Sequence, residues 1–196
     1  MELTPEKLLC KIAKILENFK VPYAVTGGFA AIIWGKPRFT ADIDIVIELA
    51  AFKIPELVSS LGKVDKNVYV SEEAVKDAVE RGGEFNLIHS QTGFKIDFWV
   101  KGEDVYDRLE IKRALPRKIN SQKIYFISPE DLILSKLIWY KKSGSQKHLE
   151  DVRSVLANPG LRLDLKYIKK WASKFSVLPI LSEISGSQNE EISVTK

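Results

Sequence analysis

An α+β domain with a helical C-terminal part is the fold class this chain predicts, on three observations. An amphipathic helix pattern opens it, short strand patterns mixed with helices follow, and only helix patterns close the ordered part. Its 196 residues suit one domain, and 45% apolar against 29% charged residues is enough to bury a core. The expected division is a mixed core over residues 1–128, a helical part of the same domain over 129–180, and a flexible tail at 186–196, where apolar residues run out.

Thr4-Pro5-Glu6 reads as an N-cap, a first-turn proline and an early acid. Leu8, Leu9, Ile12, Ile15, Leu16 and Phe19 then recur at helical spacing, which predicts a helix over 5–19. Tyr23-Ala-Val-Thr26 is a short buried strand that stops at Gly27-Gly28, and Phe29 to Trp34 is a short apolar helix. Ile43, Ile45 and Ile47 alternate with Asp42, Asp44, Val46 and Glu48, the period of a strand. Helices are expected near 52–62 and, opened by Ser71, near 72–81. Segments 84–90 and 94–100 flank Gln91-Thr-Gly93 as a hairpin. A polar helix near 103–113 leads to a second hairpin, 117–120 and 123–127, turned at Ser121-Gln122. Ser128-Pro129-Glu130-Asp131 is a strong helix start, and helices near 129–142, 147–157 and 164–175 complete the pattern.

Composition excludes several chemistries. One cysteine, Cys10, rules out a disulfide framework and a multi-cysteine zinc site, and the two histidines, His89 and His148, lie far apart. No apolar run approaches the roughly 18 residues of a membrane span, and the opening Met1-Glu-Leu-Thr-Pro5 lacks the order of a secretion signal. A cytoplasmic protein without a membrane partner is the expectation. Residues 101–175 carry 17 basic against 9 acidic residues, whereas 1–100 carry 12 against 14. The second half suits a polyanion, or else presents solvated lysine faces.

Chemistry concentrates in one stretch. Two glycines directly after a strand let the backbone turn tightly and expose N–H groups that can cradle a phosphate. Asp42 and Asp44, two apart on a strand, project from one face about 6.6 Å apart. Such a pair repels unless a cation sits between, and Mg²⁺ takes one or two carboxylates plus phosphate oxygens. Neither the P-loop nor the Gly-x-Gly-x-x-Gly fingerprint is present, since six residues separate Gly28 from Gly35 and Pro37 follows Lys36.

Gly27-Gly28, a spacer, then Arg38-Phe-Thr-Ala-Asp42-Ile-Asp44 resembles the signature of the polymerase-β-type nucleotidyltransferase superfamily, nearest its minimal and abortive-infection toxin-like branches. Phe94-Lys-Ile-Asp97-Phe-Trp-Val100 supplies the later carboxylate that pattern calls for. Pro129 to Leu137, with Lys136, and His148-Leu-Glu-Asp151-Val extend the likeness to about residues 20–157, although Gln146-Lys147-His148 stands where relatives often carry an arginine. The resemblance implies a mixed β-sheet with helices on one side and Mg²⁺- or Mn²⁺-dependent transfer of a nucleoside monophosphate from an NTP to a hydroxyl. In it Asp42, Asp44 and Asp97 hold metal and do the catalysis. Gly27 and Gly28 bind phosphate, while Arg38, Thr40 and Lys136 make secondary contacts. The acceptor is RNA, a protein or a small molecule, with RNA favoured by the basic half. Two alternatives stand beside this: a catalytically silent nucleotide-binding or toxin–antitoxin module of the same fold, and an RNA-binding protein whose carboxylates are incidental.

Overall fold

The structure is a computed structural model, and it describes residues 3–40, 42–102 and 104–184. The expected tail at 186–196 lies outside the described residues. The chain forms two compact units, one of residues 1–30 with 39–128, the other of residues 31–38 with 129–196.

In the first unit, α1 (Pro5–Asn18) starts where the Thr4 hydroxyl accepts the Lys7 N–H at 3.3 Å, and it buries Leu8, Leu9, Ile12, Ala13 and Leu16. The strands are β1 (Tyr23–Thr26), β2 (Asp42–Ile47), β3 (Val68–Val70), β4 (Glu84–His89), β5 (Phe94–Val100), β6 (Leu115–Ile119) and β7 (Gln122–Phe126). They make one seven-stranded sheet in the order β3-β4-β5-β2-β1-β7-β6. The sheet is mixed: β2 runs parallel to β5 and β1 parallel to β7, and the remaining neighbours are antiparallel. Between strands lie α2 (Gly27–Trp34), α3 (Ile54–Gly62), α4 (Glu72–Arg81) and α5 (Val105–Lys112).

Ile43, Ile45 and Ile47 share one sheet face with their register partners Ile96, Phe98 and Val100, and the first five are fully buried. Phe85, also in register with Phe98, stacks on it with ring centroids 4.7 Å apart. Phe98→Ala is expected to cost about 3–5 kcal/mol, the range for emptying a buried aromatic site, as a urea melt would record. At the sheet's far end Lys101 reaches both Glu110 (2.7 Å) and Asp107 (3.2 Å), which is how Glu110 is buried without an exposed charge.

Three local readings change. The glycine pair does not precede α2 but forms its first turn. Strand β3 was not expected, because Val68-Tyr-Val70 is too short to show a period and depends on pairing with β4. The second hairpin turns at Asn120-Ser121, one residue early. Both adopt positive φ (46° and 68°), the turn whose twist matches that of the flanking strands.

The second unit holds α6 (Pro129–Ser143), α7 (Gln146–Leu156), α8 (Leu165–Lys174) and a further helical stretch over 178–184, with residues 31–38. Leu132, Ile133, Leu134 and Leu137 of α6, Leu149, Val152 and Val155 of α7, and Ile168 and Trp171 of α8 are buried. The two acids that open α6 tie α8: Asp131 accepts the Tyr167 hydroxyl at 2.7 Å and Glu130 accepts the Asp164 N–H at 3.0 Å. Residues 31–38 are held by Asn158, whose amide donates to the Trp34 carbonyl at 2.8 Å, and by the Ser154 hydroxyl, which accepts the Lys36 N–H.

Candidate active site

Parallel pairing of β2 and β5 sets Asp42 opposite Lys95 and Asp44 opposite Asp97, while Thr26 of β1 faces Asp44 from the other side. Register partners point to the same face, so Asp42, Asp44 and Asp97 share the face opposite the isoleucines. Asp42 is exposed and Asp44 half-buried; the Asp97 side chain keeps 14% of its surface. Two carboxylates directly opposite on neighbouring strands destabilise a sheet unless positive charge compensates them. Lys95 supplies some of it, its ammonium 2.8 Å from the Asp97 carboxylate, and this hydrogen bond is the main reason the Lys95 pKa is raised. Among the described residues no three His, Cys, Asp or Glu side chains close into a metal-binding cluster.

The glycines are fitted to these groups. Gly27 has φ +61°, and a Cβ there would run into the Asp44 carboxylate, with the Asp44 Cβ only 2.8 Å away. A Cβ at Gly28 would meet the Thr40 hydroxyl, with the Thr40 Cβ at 2.9 Å. Thr40 in turn donates to the Asp42 carbonyl at 3.3 Å. The first turn of α2, whose N–H groups have no partner within the helix, therefore packs directly on the β2 acids. Gly27→Ala is expected to lose about 1–2 kcal/mol for the left-handed backbone and to displace Asp44 besides. A chemical denaturation curve measures the first effect. Nucleotide affinity, expected to fall, reports the second.

Arg38 and Lys136 have a different setting. Both bind Asp151 within the second unit: Arg38 Nε and a terminal nitrogen donate to its two oxygens at 2.8 and 3.0 Å, and Lys136 Nζ lies 2.8 Å away. Asp151 and Lys136 are buried, and Arg38 keeps 23% of its side-chain surface. Burial alone would push the Asp151 carboxyl up. The Arg38 and Lys136 hydrogen bonds outweigh it and hold the pKa below the ordinary value. His148 stacks on Trp139, and its buried Nδ1 lacks a hydrogen-bond partner among the described residues. Burial first, then the Lys136 charge, lowers its pKa.

Of the eight candidate residues, register and close contact link six, Asp42, Asp44, Asp97, Gly27, Gly28 and Thr40, while Arg38 and Lys136 are engaged by Asp151. What brings Asp97 to Asp44 is strand pairing. Asp151 was visible only as part of a family-like segment, and the signal that marks it is an acid beside the buried positions Leu149, Val152 and Val155 of an otherwise polar helix. His89 is also more engaged than a plain hairpin residue. It is 2% exposed, with Asp65 at 3.2 Å from Nε2 and the Thr92 hydroxyl at 2.7 Å from Nδ1.

A family model described as "Nucleotidyltransferase of unknown function (DUF6036)" matches residues 6–187. The sequence has no match among curated proteins. Among solved structures the fold is similar to that of ANT(2'')-Ia in complex with adenylyl-2''-tobramycin, at TM-score 0.59 and 18% identity over 89% of this chain and 98% of that one. It is also similar to an antigenic nucleotidyltransferase-like protein from Paracoccidioides brasiliensis (TM-score 0.53, 22% identity, 91% and 90% covered). The lincosamide antibiotic adenylyltransferase LnuA, lincomycin-bound, gives TM-score 0.53 and 17% identity over 80% and 99%. Among the described residues no helix is long and apolar enough to cross a membrane.

Proposed function

The chain belongs to the DUF6036 nucleotidyltransferase family, and from that membership we propose that it transfers a nucleoside monophosphate from an NTP to an acceptor hydroxyl with a divalent cation. One observation carries the reading: Asp44 stands opposite Asp97 in register while its carboxylate packs on Gly27 at the start of α2. Acids and helix N–H groups so close together suit a ligand that is itself a polyanion bearing cations. Asp42, Asp44 and Asp97 share one face and are the hard oxygen donors that Mg²⁺ or Mn²⁺ takes. As they stand they do not close into a metal cluster, and Lys95 occupies Asp97. Asp42, Asp44 and Asp97 would hold the metal. When bound, it neutralises charge on the phosphate oxygens.

The chain's own residues do the rest. The Gly27 and Gly28 N–H groups bind terminal phosphate oxygens, which glycine permits because no Cβ stands in the way. Thr40, packed on Gly28, fixes the approach to Asp42. Asp97 takes the proton of the acceptor hydroxyl at a carboxylate oxygen once Lys95 swings away. The acceptor oxygen then bonds to the α-phosphorus as the bond to pyrophosphate breaks. Arg38 and Lys136 act by fixing Asp151 and the residues around it, rather than as phosphate ligands.

The test is incubation with each α-labelled NTP and Mg²⁺ or Mn²⁺, offering total RNA, protein extract and small hydroxylated molecules of the kind seen in the antibiotic-modifying neighbours. Label that becomes covalently attached to an acceptor supports transfer and identifies the acceptor. The Lys95–Asp97 ion pair favours one second reading, a nucleotide-binding module without turnover. That reading expects nucleotide to bind and all label to remain acid-soluble and unattached.

A further inference from the structure

We propose that the outer hairpin of β6 and β7 is a docking edge for single-stranded RNA. As the acceptor surface, it rests on the transfer reaction above only for what happens after docking. From Ile111 to Ser128 the chain has five basic residues, Lys112, Arg113, Arg117, Lys118 and Lys123, and no acid. The hairpin register sets Lys118 directly opposite Lys123, and both side chains are exposed. Two like charges face to face weaken a hairpin, so this pair has a cost that an anionic ligand removes.

Edge protection explains only part of this. A charged, proline-bearing outer strand deters strand-to-strand association, and Pro116, Arg117 and Lys118 of β6 serve that end. Lys123 lies on the inner strand, where no edge needs protecting. Its ammonium sits 5.1 Å from the centroid of the Tyr125 ring, and alternation puts Tyr125 on the same face as Lys118 and Lys123. The Tyr125 ring packs edge-on against Tyr23, so it is held in place. Cations beside a fixed aromatic ring match a single strand, whose phosphates and bases alternate. An acidic peptide recognised by strand addition fits less well, because Pro116 offers no N–H on the free edge.

The hairpin also has a rigid support. The Gln122 side chain donates to the Cys10 carbonyl at 3.0 Å and the Cys10 thiol reaches the Ile119 carbonyl, which fastens the hairpin to α1. Lys14, one turn beyond Cys10 on that helix, is also exposed. RNA also presents the free hydroxyls that the proposed reaction consumes.

The experiment is fluorescence anisotropy of a labelled oligouridylate over a NaCl series. It uses wild type, the pair Lys118→Gln with Lys123→Gln, the single Lys118→Gln, and the control Lys76→Gln. For the paired variant the slope of log affinity against log salt is expected to fall by about 1.4, two contacts at roughly 0.7 each for a single strand. Affinity at moderate salt should drop about tenfold or more. The single variant should lose about half the slope change, and it keeps the test alive if the paired one does not fold. Lys76→Gln, an exposed lysine on α4, should bind as wild type does. Unchanged affinity and slope in the lysine variants would overturn the proposal, as would polyglutamate or anionic vesicles competing as well as unlabelled RNA. If the lysine variants lose RNA but the wild type transfers no nucleotide, docking stands and the transfer reading fails; label transfer to RNA that survives lysine replacement undamaged refutes docking alone.

Discussion

Asp44→Ala is expected to lower nucleotide transfer by about a thousandfold, the scale of removing one group that stabilises charge in a phosphoryl-transfer transition state. Stability should hold or rise slightly. Asp44 is half-buried and faces another carboxylate, so its removal relieves repulsion between strands. Asp44→Asn separates charge from shape: it keeps the packing on Gly27 and loses the ligand charge. Rates of label transfer, read beside thermal melts of both variants, make the comparison. Transfer within about tenfold of wild type in both would defeat the proposed site, for the neighbouring Asp42 would then suffice without the pair.

A stability effect as large as that of Phe98→Ala is expected at Asp151. Replacing it by alanine strands the Arg38 and Lys136 cations where Asp151 and Lys136 are buried, a loss of about 3–5 kcal/mol for breaking a buried pair. A melting temperature roughly 10 °C lower is the corresponding thermal signal. The pH dependence has a definite sign. Asp151 has a folded pKa below the ordinary carboxyl value of about 3.9, so its contribution is complete above that pH and is lost as pH falls through the folded value. His148 acts higher. Its folded pKa is lowered, so below about pH 6.5 the unfolded chain takes up a proton first and stability declines. Denaturant midpoints across pH 3 to 8, estimated at about half-unit steps, should fall first below about 6.5 and again below about 4. The first fall should vanish in His148→Phe and the second in Asp151→Asn. Their persistence would mean that other groups drive acid unfolding.

How far the sequence carries can be followed through particular residues. Local chemistry was legible wherever neighbours along the chain decide conformation. Thr4-Pro5 caps α1 as expected, Tyr23–Thr26 is a strand with the expected bounds, and the Asp42-Ile-Asp44 alternation sends acids and isoleucines to opposite faces. The boundary of α2 was less legible, because a glycine pair has low intrinsic helix propensity. Here Gly27 is needed for its φ of +61° and for the space that the Asp44 carboxylate fills. The short β3 and the turn at Asn120-Ser121 depended on partners and on strand twist, which a linear pattern does not contain.

By itself the sequence determined which side chains each strand and helix offers: two acids on one face of β2, a glycine corner before them, cations gathered after residue 101. Only tertiary structure decided their companions. Strand pairing brought Asp97 beside Asp44 and set Lys118 against Lys123, and helix packing turned Arg38 and Lys136 toward Asp151. The physical reason is range. Propensity and periodicity act over a few residues, whereas a charge finds its partner according to which backbones the buried apolar faces draw together, more than a hundred residues apart for Arg38 and Asp151.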